Sequence, residues 1–176
     1  MKKPVYIIVA VDSKNGIGKR GELPWRIKGE IRYFKERTLQ VKDPKKQNAV
    51  LMGRNTWESL PEKFRPLPNR KNFVLTSNPT FAAAGAKACV SLEQAISLAN
   101  TDPQVEKIFI IGGGKVFEQA ISIVDGIYFT AVKGDFNCDI FFPEIPEYFE
   151  EVKSLGHGKE GNIEYDFLLY LNKEND

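Results

Sequence analysis

Histidine is almost absent from this 176-residue chain. His157 is the single one, and cysteine occurs only at Cys89 and Cys138. Two cysteines make no disulfide framework and no metal-ligand spacing. With one histidine, a zinc site and a Ser/His or Cys/His nucleophilic pair are all but excluded, so no metal is expected. His157 stands between Gly156 and Gly158, which predicts a turn and no chemical role. Long apolar runs are also missing: none approaches the ~20 residues of a membrane span. The start, Met1-Lys2-Lys3-Pro4, leads into a short apolar run ending at Asp12, unlike a signal peptide. Excess charge is lacking too. The net charge of +2 is too small to make nucleic acid or a membrane the main partner. There is no repeat, low-complexity segment or linker. The expectation is one domain over residues 1–176, reduced, soluble, cytoplasmic and monomeric, with a small molecule as partner.

What is present has the balance of an ordinary globule, 42% apolar and 27% charged. Val5 to Val11 is an unbroken aliphatic and β-branched run, the pattern of a strand buried on both faces. Further strands are expected at Ala49–Met52, Asn72–Thr76, Lys87–Val90 and Ile108–Ile111. Helices are expected from Pro24 to about Leu39, from Gly53 through Leu60, after Ser91, and over Lys115–Ile123. Ser91-Leu92-Glu93-Gln94 has the form of a capping box. Strand and helix alternate through the first two thirds, predicting an α/β fold with a parallel sheet. After Asp125-Gly126, three strands follow with no helix between them, predicting an antiparallel edge.

The chain is organised around Leu23-Pro24-Trp25-Arg26-Ile27-Lys28-Gly29-Glu30-Ile31-Arg32-Tyr33-Phe34. At about 100° per residue, Ile27, Ile31 and Phe34 share one arc, and Glu30 falls on its edge about 60° from Ile27. A carboxylate against apolar neighbours is costly unless something pairs with it. At this point two readings stand: Glu30 caps a backbone donor or pairs with Arg37, or it binds a ligand.

Gly16-Ile17-Gly18-Lys19-Arg20-Gly21 formally matches a dinucleotide fingerprint, but the context fails. Four residues separate it from the strand, and Pro24 follows instead of a helix. A mobile glycine-rich loop over a site is expected instead. Gly112-Gly113-Gly114-Lys115 is better placed, joining a buried strand to a helix. Three glycines let a ligand approach the backbone and expose N–H groups to an anion; the alternative is tight helix–strand packing. Gly53-Arg54-Asn55-Thr56 is a second such turn, with an N-capping Asn or Thr and a cation, and Thr76-Ser77 ends a third strand in hydroxyls. Ligands of parallel sheets bind beyond the carboxyl ends of strands. Two anion cradles suit a pyrophosphate, and the extra cation and hydroxyls suit a further phosphate, hence NADP rather than NAD. Arg65-Pro66-Leu67-Pro68-Asn69-Arg70 is either a solvated basic loop or a fork for a substrate carboxylate.

Together these residues resemble dihydrofolate reductase. The matching pieces are Ile8-Val9-Ala10-Val11, Asn15-Gly16-Ile17-Gly18, Leu23-Pro24-Trp25, Glu30 with Phe34, and Met52 through Ser59. Arg65 through Arg70, Ile110 through Gly114, Tyr128-Phe129-Thr130 and Phe142-Pro143 continue in the family's order. The resemblance implies a central eight-stranded, mostly parallel sheet with an antiparallel C-terminal edge and about four flanking helices. It also implies reduction of 7,8-dihydrofolate by NADPH, and antifolates such as methotrexate as ligands. By motif position, Glu30 looks like the pterin-gripping carboxylate, Thr130 its support, and Trp25 the holder of an ordered water. Ile8, Phe34, Leu60 and Leu67 look like walls for the substrate rings, and Arg70 like the clamp on its glutamate α-carboxylate. For the cofactor, the resemblance points to Ala10, Gly16, Ile17, Gly18 and Lys19, with residues 13–22 as a lid. It points further to Asn55, Thr56, Thr76 and Ser77, with Arg54 at the 2′-phosphate. The third group is the turn from Ile111 through Gly112, Gly113, Gly114 and Lys115 to Val116 and Phe117. Glu30 replaces the aspartate of many bacterial members, Phe117 stands where some have tyrosine, and Pro61-Glu62-Lys63-Phe64 lengthens a loop. Rival readings are a reductase of another pterin or riboflavin precursor, and a nucleotide-binding protein without chemistry.

Overall fold

Strand β1 (Val5–Val11) is the centre of the molecule and is buried on both faces. A computed structural model describes residues 2–78 and 80–175; Met1, named in the start reading above, lies outside the described residues, as do Pro79, in the turn expected after the Asn72–Thr76 strand, and Asp176. In order follow β2 (Gly16–Gly18), α1 (Lys28–Leu39), β3 (Gln47–Gly53), α2 (Arg54–Ser59), a 3-10 turn (Glu62–Phe64), β4 (Lys71–Leu75) and β5 (Ala86–Cys89). Then come α3 (Leu92–Thr101), β6 (Val105–Gly112), α4 (Gly114–Ala120), β7 (Gly126–Val132), β8 (Ile140–Phe141), β9 (Phe149–Glu160) and β10 (Ile163–Asn172).

Eight strands form one sheet in the order β5-β4-β3-β6-β1-β7-β10-β9. The six from β5 to β7 are parallel, and β10 runs antiparallel to both β7 and β9. The expected α/β sheet with an antiparallel C-terminal edge is therefore present. Alternation along β1 explains its double burial. Val5, Ile7, Val9 and Val11 pack with residues of α3 and α4, such as Leu92, Ala95, Val116 and Phe117. Ile8 joins Trp57, Phe34, Leu60 and Leu67 on the other face, where Ala10 meets Trp25 and Ile27. No described helix is long and apolar enough to cross a membrane.

The Ser91 cap of α3 forms as its sequence predicts, but the return bond to Gln94 comes from Val90 and not from the Ser91 N–H. Gln94 N donates to Ser91 Oγ at 3.1 Å, while Val90 N donates to Gln94 Oε1 at 2.8 Å. Other local expectations are corrected. Residues 24–27 are not helical; α1 begins after Ile27, whose backbone is extended (φ −114, ψ 112). That extension carries Trp25 and Ile27 into the core, and burial of two large apolar side chains outweighs a few more helical residues. Helix α2 is capped by Gly53 with no side-chain bond, so Asn55 and Thr56 lie inside it. Gly16–Gly18 is a short strand paired with β8, because residues 134–142 fold against it. His157 lies within β9, opposite Asp166 of β10, with Nδ1 2.6 Å from Asp166 Oδ1. Its flanking glycines serve the strand: a Cβ at Gly158 would collide with the Tyr165 ring at 2.3 Å.

Candidate active site

The sheet order brings the scattered motifs to one edge. In parallel strands all carboxyl ends point the same way. β4, β3, β6, β1 and β7 therefore deliver Thr76-Ser77, Gly53–Thr56, Gly112–Gly114, Ala10–Val11 and Thr130–Val132 side by side. Chain connectivity reverses here, since β6 inserts between β1 and β3. That is the switch point at which such sheets form a crevice.

Glu30 is in the first turn of α1, and two tethers fix that turn. Lys28 N donates to Glu160 Oε1 at 3.0 Å. Gly29 lies so close to Tyr165 that a Cβ there would fall 2.2 Å from its hydroxyl. Glu30 itself is half-buried, and among the described residues no donor reaches its carboxylate. Arg37 does not pair with it; that guanidinium lies over the Tyr33 and Tyr128 rings, 5.3 and 4.8 Å from their centroids. Burial without a partner pushes the Glu30 pKa up to about 7. Ile31, which the wheel placed on the same arc, is 48% exposed. This part of the arc lines an opening rather than the core.

Thr130 is buried on β7 in register with Ala10, so it faces the α1 side. It makes no hydrogen bond to Glu30. Trp25 is 5% exposed, edge-on to Phe136 at 5.3 Å, and its Nε1 has no hydrogen-bond partner among the described residues. Ile8 is buried, and half-buried Phe34, Leu60 and Leu67 pack against the same cluster.

Arg70 is 8% exposed, so the solvated-loop reading fails for it. Neutral oxygens hold it: Nε donates to Pro68 O at 3.1 Å, and a terminal nitrogen donates to Thr38 Oγ1 at 2.8 Å. No described carboxylate neutralises it, and burial lowers its pKa. Asn72 locks the loop before it, accepting from Leu67 N at 2.9 Å and donating to Leu67 O at 3.0 Å. Thr38 was missed in the sequence, although its spacing from Phe34 placed both on one face of α1.

The glycine turn leaves room rather than filling it. Gly112 has φ +134, and the Gly112–Gly113 peptide is cis. A Cβ on Gly113 would meet only Thr56 Oγ1, at 3.3 Å, with open space otherwise. The two strand-to-helix turns thus touch. Ile111 is half-buried, while Val116 and Phe117 turn into the core, leaving only their backbone for a ligand. Lys115 and Asn55 are exposed, as is Ser77, while Thr76 and Lys19 are half-buried. Arg54 donates from Nε to Glu58 Oε1 at 2.9 Å and stacks over Phe81. Gly16, Ile17 and Gly18 form β2, with Ile17 against the Gly114 turn.

The sequence matches the family model described as dihydrofolate reductase over residues 4–172. It is 42% identical to dihydrofolate reductase of Drosophila melanogaster, over 93% of this chain and 94% of that protein. It is 37% identical to the Aedes albopictus enzyme of the same name, over 96% and 97%. The bifunctional dihydrofolate reductase-thymidylate synthase of Glycine max is 37% identical over 97% of this chain, which spans 34% of that longer protein. A half-buried Glu30 and a buried Arg70 with no ion-pair partner among the described residues, a glycine-lined edge and a match along nearly the whole length agree: the chain belongs to the dihydrofolate reductase family.

Proposed function

We propose that this dihydrofolate reductase uses NADPH to make tetrahydrofolate for one-carbon metabolism, in thymidylate, purine and glycine/methionine synthesis. One observation carries the reading. Glu30 and the Thr38 that holds Arg70 are eight residues apart on α1, about 12 Å along its axis. Among the described residues, a half-buried carboxylate without donors stands at one end and a buried cation without an anion at the other. Phe34 lies between them on α1, and Leu60 and Leu67 pack in the same apolar cluster. Such a crevice fits a ligand with a donor-rich ring, an apolar middle and a carboxylate tail, which describes dihydrofolate and methotrexate.

The residues also fit the cofactor. The open space over Gly113, bordered by the Thr56 hydroxyl, is a cradle that any side chain would fill. Thr56, Thr76, Ser77 and Arg54 would hold phosphates, and Ala10, Ile17 and Gly18 would hold the nicotinamide end. NADPH, when bound, supplies a hydride to the pterin. Glu30 accepts two neighbouring donors of the pterin ring and fixes its tautomer. With a pKa near 7 it can hold a proton at working pH. Its oxygens do not reach every reacting atom, so the proton for pterin N5 travels through water, for which the free Trp25 Nε1 is a ready donor. The lack of a disulfide at Cys89 and Cys138 fits a cytoplasmic site of action.

The test is dihydrofolate-dependent loss of NADPH absorbance, with NADH as control and methotrexate as inhibitor. Turnover with NADPH that methotrexate blocks is expected. Equal turnover with NADH would remove the 2′-phosphate role of Arg54, and no dihydrofolate-dependent loss would sink the substrate assignment.

A further inference from the structure

Asp12 directly follows β1 and is 4% exposed, yet nothing in the proposed chemistry uses it. Its two oxygens serve different segments. Oδ1 accepts from Lys14 N at 2.9 Å and Gly16 N at 2.7 Å, both in the lid. Oδ2 accepts from Phe136 N at 3.1 Å and from the Cys138 thiol at 3.5 Å, both in the segment before β8. The fit around it is close. A Cβ at Gly16 would lie 2.4 Å from Cys138 Cβ and 2.9 Å from Asp12 Oδ1.

The lid and the neighbouring segment also meet elsewhere. Ser13 N donates to Gly134 O at 2.9 Å, and Asp139 N donates to Gly18 O at 2.9 Å. Ser13, Gly134 and Asp139 are exposed, where water competes for the same groups, and of these four residues Gly18 alone is buried. The Asp12 contacts are shielded and charge-assisted, so they are the strong ones. Their reach extends to the dinucleotide edge. Strand β2 begins at Gly16, and a Cβ on Gly114 would meet Ile140 of β8 at 3.0 Å and Ile17 of β2 at 3.9 Å. Whatever sets β2 and β8 therefore sets the wall over the glycine turn.

We propose that Asp12 is a positioning residue for hydride transfer: Oδ1 shapes the lid while Oδ2 latches it to residues 134–142, holding β2 and β8 over the glycine turn. The inference rests on reading residues 13–22 as a lid on the nicotinamide side. It requires a carboxylate. An amide has one acceptor oxygen, so Asp12→Asn can keep the bonds to Lys14 and Gly16 but turns an NH2 toward Phe136 N and the thiol.

The experiment compares wild type with Asp12→Asn. Amide exchange is followed at Gly16 and Phe136, NADPH and methotrexate affinities are measured by fluorescence without turnover, and the deuterium isotope effect on kcat is measured with labelled NADPH. Faster exchange at Phe136, about tenfold weaker NADPH binding, methotrexate binding within about twofold and a larger isotope effect are expected. Unchanged NADPH affinity and isotope effect would overturn the proposal. So would equal losses of NADPH and methotrexate affinity, because a structural role predicts that pattern. If Asp12→Asn does not fold, Cys138→Ala removes one donor to Oδ2. It should weaken NADPH binding about threefold, with Cys138→Ser restoring it, and no change in Cys138→Ala overturns the latch. In the wild type NADPH must slow exchange over residues 16–18; failure there refutes the lid reading itself, whatever the variants do.

Discussion

Two carboxylates, Asp12 just after β1 and Glu30 in the first turn of α1, have opposite surroundings. Around Asp12, burial works to raise the proton affinity. The backbone N–H groups of Phe136, Gly16 and Lys14 outweigh it and hold the carboxyl below its usual range. Around Glu30 no donor arrives from the described residues, and burial alone lifts the pKa from 4.5 to about 7. A carboxylate saturated by its own chain is a structural joint, since its bonding capacity is spent inside the fold. One left unsaturated costs stability, and that cost is offset only when a ligand supplies the missing donors.

The largest effect should come from Glu30→Gln. Loss of the ionisable group should lower kcat/KM about 10²–10³-fold, and the titration near pH 7 should vanish from the pH–rate profile. A profile matching wild type would take Glu30 out of the proton chemistry. Next, Asp12→Ala should destabilise the fold by about 3 kcal/mol, read by urea unfolding, because buried N–H groups lose their acceptor. A loss below about 1 kcal/mol would mean that water takes its place, and the contrast would fail.

Arg70→Leu extends the comparison to the opposite charge. It should raise KM for dihydrofolate about 30- to 100-fold with kcat within about threefold, as removal of a binding contact does. The reverse split would count against a carboxylate clamp. The two carboxylates should also pull stability in opposite directions with pH. The folded state favours protonated Glu30, so its contribution weakens as pH rises from about 4.5 through about 7. Glu30→Gln should therefore gain over wild type with rising pH, by on the order of 2–3 kcal/mol at pH 8. Asp12 does the reverse: its contribution is present above the unfolded pKa of about 3.9 and is lost as pH falls through its lowered folded value. The smallest effect, about 1 kcal/mol without change in kcat, is expected for Ser91→Ala, which removes a helix cap remote from both carboxylates. Equilibrium unfolding beside activity checks it.

Much of the fold was legible because burial writes its period into the chain. The Val5–Val11 run, the Ser91 cap and the glycine turn after β6 are local patterns with local causes. The early start assigned to α1 shows the limit. Residues 24–27 have a helical spacing, but the core draws Trp25 and Ile27 inward along an extended backbone. His157 shows the same limit, since Gly158 beside it answers to Tyr165 across a hairpin and Gly156 to its own positive φ.

At the site, the odd placement of Glu30 could be read from a helical wheel. That it has no partner could not, because every candidate partner had to be located in space. Arg70 read equally well as a solvated cation until Thr38 and Pro68 were seen to hold it inside. The bonds from Lys14 and Gly16 to Asp12 are local, but its donors at Phe136 and Cys138 are more than a hundred residues away and left no signal in the sequence. The sequence by itself determined which groups exist, their family order and the periodic burial that builds the sheet. Tertiary structure decided which charges are satisfied, because satisfaction depends on distances between segments that the linear pattern does not contain.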